Sequence, residues 1–570
     1  METGGDTGPG SNAEDEVRRH SPNARAIARA GLIFSLLECV VIRLPYLRLV
    51  PIWDSRQYWD ACVGPALQKA FDPLAFNCFG HRTVLYMLSV GWPQYFDYGS
   101  VLLLNLALLA IALLTVAAFY RVVTLLFEPS VNAETGILPA ALTIIFASMP
   151  VWTAGSVMLN PDSGVLLGFL LSLALLLDGR RKTAVLAGLY LVLSKEIGLL
   201  LWILLAVTET LAAWITTRSR QEWRSMIIGR WSFLLPPLGY FATGMALRAA
   251  SRPDVWVAPS VYKPGKSLLQ IFLTFDLGAG HFGAYIADLF VLNFSWIMTL
   301  VIAGWLCTIV IAIVRQRSQN LNVALQSYRT LFVVLLTPLV LYVITRYPTF
   351  NNARYLLPAI PLIVIAFGAA VVSLVARRRN QVALLGLVFV TQVLSMWQTT
   401  DPLSRFLFGT WNFGTNPMLA MTSPTNECCG YGRDQLIYNL QFTHFATIQD
   451  AVFQRVHATE KTVFAMAPNA DWHLQGQIQE KTLKRTLRTT DVIVTPPITM
   501  ARLARGASVP ATMFYIAYPN VDNEYDLKLY SYFYEIAPPI FVDDGNGYEL
   551  PVFEMRRNKR PTPRFTRGQS

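Results

Sequence analysis

Apolar residues run through the first four hundred positions in eleven blocks, at about 30–48, 100–120, 137–151, 164–178, 183–195, 197–216, 230–248, 286–314, 329–345, 355–376 and 381–398. A helix needs roughly 20 apolar residues to cross a hydrocarbon core. Several blocks are shorter, which predicts tilted or re-entrant helices. The stretch 183–216 is too long for one crossing, so it predicts two helices that turn near Ser194-Lys195-Glu196. Beyond position 400 the pattern changes. TVFAMA, DVIVTP and ATMFYIAY are β-branched and aromatic runs punctuated by Pro, Gly and Asn, as strands are. The pattern therefore predicts a polytopic α-helical membrane protein of about eleven transmembrane helices. A polar and basic tail covers 1–29, the membrane domain 30–399, and a small soluble mixed α/β domain 400–570.

Composition agrees: 53% of the 570 residues are hydrophobic and 15% charged, with a mean hydropathy of +0.40. The net charge of +11 raises nucleic acid as a partner, but the positions of the basic residues exclude it. Arg121, Arg180-Arg181-Lys182, Arg218 to Arg230, Arg315, Arg317 and Arg377-Arg378-Arg379 all fall between apolar blocks. With Arg18, Arg19, Arg25 and Arg29 placing the N-terminus in the cytosol, alternate crossings put every one of these clusters on the cytosolic side. The first block carries Glu38 and Arg43 and no small-residue cleavage site follows it, so it reads as an uncleaved membrane helix.

The opposite face then receives the large loop 49–99, the NPDSG turn at Asn160–Gly164, the Ser194–Glu196 turn, the loop 251–285, the segment RYPTFNNARY at Arg346–Tyr355, and the domain 400–570. Apart from Glu38 and Arg43, the charges expected inside the membrane domain gather at that face. A bacterial inner membrane with a periplasmic C-terminal domain is the expected location, since no endoplasmic-reticulum retention signal ends the chain. Six cysteines are too few for a disulfide framework, though Cys62 and Cys78 share a loop and can pair if that side is oxidising. No internal repeat, phosphate-binding glycine loop, zinc motif or histidine cluster is present in the sequence.

Five polar groups are candidates for chemistry on that face. Asp54 in VPIWDSRQYWD leaves the first block as a carboxylate beside an indole, and ordinary solvation explains it equally well. His81-Arg82 precedes an apolar run, where a cation at a helix start suits a phosphate or merely snorkels. Asp162 in NPDSG is a second carboxylate facing the same cavity, or simply a helix cap. Lys195-Glu196 sits at a turn between two apolar helices. Charge there is costly and faces a polar cavity or a counter-ion. Arg346-Tyr347 and Arg354-Tyr355 flank an Asn-rich loop; guanidinium groups at such a boundary suit phosphate, while Arg and Tyr are also common interfacial anchors.

Taken in order, the membrane-exit Asp54, His81-Arg82, Asp162, the SKEIGLLL turn with Lys195, and NNARYLLPAIPL resemble the GT-C membrane glycosyltransferases, in the branch of protein O-mannosyltransferases and lipid A aminoarabinose transferases. The likeness covers about 30–379. It implies that Asp54 is the catalytic base and that Arg82, Lys195, Arg354 and Tyr355 bind the donor phosphate; Asp162 is read beside them as the catalytic carboxylate that orients the acceptor hydroxyl, with His81, Glu196 and Arg346 as secondary candidates. The chain departs from the pattern at Ser55, where an acidic residue often follows the first, and at His81, which often is acidic.

The implied activity is inverting transfer of a mannose- or arabinose-like sugar from a polyprenyl-phosphate donor to a hydroxyl of a glycan, lipid or protein. It needs no cofactor and no metal. The rival expectation is a transporter or flippase for a lipid or glycolipid, whose charges would line a path between the two faces.

Overall fold

The computed structural model describes residues 22–49, 51, 55, 58–63, 74, 82–97, 99–127, 136–216, 230–250, 282–314, 327–346, 353–397, 401–408, 410–413, 416–419, 439–458, 462–466, 492–494, 510–517, 523–545, 547 and 549–558. Helices occupy every apolar block of the sequence. They are α1 (Pro22–Arg43), α2 (Val84–Gly91), α3 (Val101–Phe127), α4 (Ile137–Ala147), α5 (Pro150–Ser156), α6 (Pro161–Leu177), α7 (Arg181–Val192), α8 (Ile197–Thr216), α9 (Leu235–Ala249), α10 (Phe282–Phe290), α11 (Ser295–Val314), α12 (Tyr328–Arg346), α13 (Ile360–Leu374) and α14 (Arg378–Ser395). Among the described residues, four helices (α3, α8, α11 and α12) are each long and apolar enough to cross a membrane, and the bent pair α4–α5 makes a fifth.

Three boundaries differ from the sequence pattern. Helix α1 starts at Pro22, inside the polar tail, because the basic residues Arg25 and Arg29 are good helix formers. The block 137–151 bends by 58° where Pro150 opens α5, since proline cannot bond back into the preceding turn. The block 286–314 is two helices. Asn293 and Phe294 adopt positive φ (56° and 60°) and break it. Asp401 holds the break: its carboxylate accepts from Phe294 N–H, Trp296 Nε1, Leu403 N–H and Ser404 Oγ at 2.5–3.0 Å. Gln392 Nε2 donates to Asn293 O at 3.0 Å.

The helices run back and forth between two polar ends. At one end Glu209, fully buried in α8, accepts from Arg230 (2.6 and 2.7 Å), Arg181 (3.1 Å) and Tyr328 (2.9 Å). Beside it Arg121 pairs with Asp178 at 2.7 Å, and Arg329 donates to the carbonyls of Leu125 and Leu177. The other end carries Arg43, Arg82, Asp162, Lys195 and Arg354. Buried charge therefore gathers at both ends and not at one, which corrects the sequence expectation. The Glu209 cluster escaped notice because Arg181, Arg230 and Glu209 look like ordinary helix-end charges until the helices are packed.

Small residues bring α6, α7 and α8 close. A Cβ added to Gly168 would stand 2.8 Å from Leu191 Cα, and one added to Gly198 would overlap the Leu191 carbonyl. That tight contact fixes the turn between α7 and α8 against the start of α6.

Beyond α14 the chain forms the short helix α15 (Pro402–Phe408), the hairpin β1 (Thr410–Phe413) and β2 (Asn416–Leu419), then α16 (His444–Arg455) and α17 (Asn523–Ser531). With them comes a mixed sheet of β3 (Phe464–Met466), β4 (Val492–Val494), β5 (Thr512–Ile516), β6 (Tyr534–Ile536), β7 (Ile540–Asp543) and β8 (Glu549–Arg557). Strand β3 pairs parallel with β4 and β5; β8 pairs antiparallel with β5 along one edge and with β6 and β7 along the other. All three runs read as strands from the sequence lie in this sheet. Its core is continuous with the membrane domain: Ile42, Ala154, Val157, Met158 and Met396 pack with Leu440, Ile448, Val452, Phe453 and Phe464. Leu440 N–H also donates to Met396 O at 2.6 Å.

Candidate functional site

The site is built on the start of α6. Asn160, in extended backbone, caps the helix by accepting Asp162 N–H on its side-chain oxygen at 3.1 Å, and Pro161 takes the first helical position. The sequence allowed Asp162 to be the cap; the structure gives that role to Asn160, and the Asp162 carboxylate is released to turn inward. The phenol of fully buried Tyr86 accepts Asn160 N–H at 3.1 Å. Gly164 leaves room for the Tyr86 ring, which any side chain there would overlap. Ser163 Oγ donates to Gly155 O at 3.1 Å and ties α6 to α5.

Lys195 comes from the α7–α8 turn, beyond the ends of both helices. Ser194 Oγ donates to Tyr190 O at 2.7 Å, Gly198 N–H to Lys195 O at 2.9 Å, and Leu85 N–H of α2 to Leu193 O at 3.1 Å. From this braced turn Lys195 Nζ donates to Asp162 Oδ1 at 2.8 Å, with both side chains about 5% exposed. Arg354, in a tight helical turn at Ala353–Leu356, brings Nε to 3.6 Å from Asp162 Oδ2. The adjacent Tyr355 presents its ring to Lys195 Nζ at 4.3 Å and to Arg354 Cζ at 5.4 Å.

Two buried cations thus approach one carboxylate in a place shielded from water. Asp162 Oδ2 is buried without a hydrogen-bond partner among the described residues. Burial works against the Lys195 charge, but Asp162, followed by Tyr355, Tyr58 and Glu196, outweighs it and holds the ammonium above its usual pKa. A fixed, desolvated pair of cationic donors is suited to a phosphate.

The structure brings Asp162, Lys195, Arg354 and Tyr355 together. Arg82 lies at the same end, but its Nη1 donates to Tyr240 O of α9 at 2.8 Å and its guanidinium stacks 3.9 Å above the Tyr240 ring. Arg346 is buried at the end of α12, and Glu196 is half-buried beside Lys195. Asp54 and His81 lie outside the described residues. Among the described residues no group of three His, Cys, Asp or Glu side chains is placed to hold a metal ion. Cys62 is disulfide-bonded and Cys39 and Cys307 are free; Cys78 lies outside the described residues.

Several supporting residues were not singled out from the sequence. Tyr86 and Tyr240 carry no signal there, since their roles come from contacts remote in the chain, and Asn160 stands in the NPDSG turn without being named as its cap. Arg43 closes this end of α1: it donates to Cys39 O at 3.0 Å and to Ser156 Oγ through both Nε and Nη2. Asn105 did carry a signal, as the one carboxamide in the apolar run VLLLNLALLAIALL.

No family model matches the chain, and no curated protein matches it in sequence. Solved structures do match in shape. The crystal structure of ArnT from Cupriavidus metallidurans bound to undecaprenyl phosphate superposes with a TM-score of 0.51 at 11% identity, over 92% of this chain and 97% of that one. The archaeal oligosaccharyltransferase AglB from Archaeoglobus fulgidus, in complex with an inhibitory peptide and a dolichol-phosphate, gives a TM-score of 0.46 at 9% identity, over 94% of this chain and 75% of that one; at that score it carries no weight here. The likeness to ArnT is one of fold: the polytopic helical arrangement of that protein is shared over 92% of this chain.

Proposed function

We propose that the protein is a membrane glycosyltransferase that moves a sugar from a polyprenyl-phosphate carrier to a hydroxyl acceptor on the outer face of the membrane. The observation that carries this reading is the buried trio Lys195–Asp162–Arg354, a phosphate cradle at one end of the fold shared with ArnT. ArnT, the fold neighbour, was crystallised with undecaprenyl phosphate, the ligand chemistry that this cradle fits.

In this reading Lys195 and Arg354 hold the donor phosphate and neutralise the charge that develops as it leaves, so the phosphate needs no general acid. Asp162 sets the spacing of the two cations, and Tyr355 walls them. Arg82, held by Tyr240, adds a further positive charge to the same end. Asp54 removes the acceptor proton. One base attacking opposite the leaving phosphate inverts the anomeric centre. The activated sugar arrives on its lipid, so no nucleotide site and no metal is required. The bacterial inner membrane, with the N-terminus cytosolic and the sheet domain periplasmic, remains the proposed setting.

The test is incubation of membranes carrying the protein with radiolabelled polyprenyl-phosphate mannose or aminoarabinose and isolation of the labelled acceptor. Label transfer that depends on the protein is expected. The two-ended charge removes the sequence argument against a transporter, so the rival needs its own experiment. Protein in liposomes that takes up solute with no dependence on lipid-linked sugar, and transfers neither label, would overturn the proposal.

A further inference from the structure

Two interrupted helices meet inside the membrane domain. The α4–α5 pair bends at Pro150, and α10 breaks from α11 at Asn293 and Phe294. Between the two breaks lies a small cavity with room for about one water-sized body. Its apolar walls include Pro150, Ile360 and Ile363, and its polar ones are Asp288, Asn293, Ser295 and Gln392. None of Lys195, Asp162 and Arg354 lines it, so this place is separate from the phosphate cradle.

Gln392 decides what the cavity can hold. It is fully buried on α14, and its Nε2 donates to Asn293 O at 3.0 Å. That bond orients the amide, because a carbonyl accepts only from the nitrogen end. The Oε1 end is then buried with no hydrogen-bond partner among the described residues. An acceptor left so is costly in apolar surroundings. Asp288, 7% exposed, brings a carboxylate to the same cavity from the last turn of α10, and Ser295 brings a hydroxyl from the first turn of α11. The C-terminal end of α10 adds partial negative charge. No Lys, Arg or His is among the described residues that line the cavity. These groups offer oxygens to a cation. Interrupted membrane helices hold monovalent cations at such ends, and one carboxylate with neutral oxygens is too little charge for a divalent one.

We propose that this cavity binds a single alkali cation, held by the Asp288 carboxylate and Gln392 Oε1, with Ser295 Oγ completing the oxygen set. The ion ties α10 and α11 to α14 across the break. The inference stands apart from sugar transfer, and its test needs no sugar donor.

The experiment uses the full-length protein in detergent, exchanged into N-methylglucamine chloride. Sodium or potassium chloride then replaces that salt in steps at constant ionic strength, and melting temperature and bound radioactive sodium or rubidium are read. A saturable rise in melting temperature, with about one ion bound per chain, is expected for sodium, potassium or both. Asp288→Asn should melt at the same temperature in every salt and bind no ion above background. Ser295→Ala and Gln392→Leu should each weaken binding about tenfold, and they serve if Asp288→Asn does not accumulate. Gln392→Glu, of the same shape, supplies a second carboxylate and should turn the preference to calcium. A native chain that binds neither ion and melts alike in every salt overturns the inference. So does a sodium or potassium effect that Asp288→Asn or Gln392→Leu retains in full.

Discussion

Lys195 and Asp162, thirty-three residues apart and at the ends of different helices, meet at 2.8 Å with both charges buried. Neither is stable there without the other: desolvating one charge is costly, and removing its partner leaves that cost uncompensated. Lys195→Met and Asp162→Asn should each destabilise the protein by about 3–5 kcal/mol. The double variant should regain much of this, since two neutral groups of similar size replace the pair. Thermal melting in detergent reads the stability. Transfer activity should stay lost in the double variant, because the cradle has lost a cation. Recovery of both together would mean that the pair is only structural.

Arg354 approaches Asp162 Oδ2 at 3.6 Å and its guanidinium lies against the Tyr355 ring. Lysine keeps the charge but loses the planar fork and the stacking. Arg354→Lys should raise the donor KM about tenfold, the value of roughly 1.4 kcal/mol of lost charge-assisted hydrogen bonding. Steady-state kinetics over a range of lipid-linked donor concentrations gives the answer, and an unchanged KM with lowered kcat would place Arg354 at the leaving step only.

Much of this was readable in the chain. The helices follow the apolar blocks, because an apolar run in a membrane must form its backbone bonds within itself. The strands β3, β4 and β5 follow the β-branched runs. Lys195 and Arg354 stood out because a charge between apolar helices demands a partner. What the sequence hid was pairing across distance. Asp162 looked like a helix cap because Asn160, two residues earlier, is an equally good one, and only the fold shows which of them turns inward. Arg82 stood out as a cation at a helix start, but its contact with the carbonyl and ring of Tyr240, distant in sequence, shows only in the fold. The break between α10 and α11 was invisible for the same reason: Asp401, which holds it, follows it by more than one hundred residues.

That break gives a prediction in its own right. Asp401 is fully buried and accepts four hydrogen bonds, one from the α10–α11 connection, one from the first turn of α11 and two from α15. Asp401→Ala would take the acceptor from the Phe294 amide and the Trp296 indole, two half-buried donors, at a cost of about 1 kcal/mol each. The variant should melt well below the native chain and show increased proteolysis in the segment following α14. Native stability would show that water satisfies these donors as well as the carboxylate does.

The Glu209 cluster separates the two functional readings. Glu209 takes hydrogen bonds from Arg230, Arg181 and Tyr328 at the end of the helices away from Lys195. In a transporter, buried charges at both ends mark a path, and neutralising either set should stop movement of the solute. In a lipid-linked sugar transferase only the Lys195 end touches the donor, and the Glu209 cluster simply ties α7, α8 and α12 together. Glu209→Gln keeps the shape and one acceptor while removing the charge that Arg230 faces from the buried side. It should therefore lower the melting temperature by several degrees, corresponding to roughly 3 kcal/mol for a broken buried pair, yet leave kcat and donor KM of the folded fraction at native values. Loss of transfer in folded Glu209→Gln protein would show that both ends work together, as a path through the membrane requires.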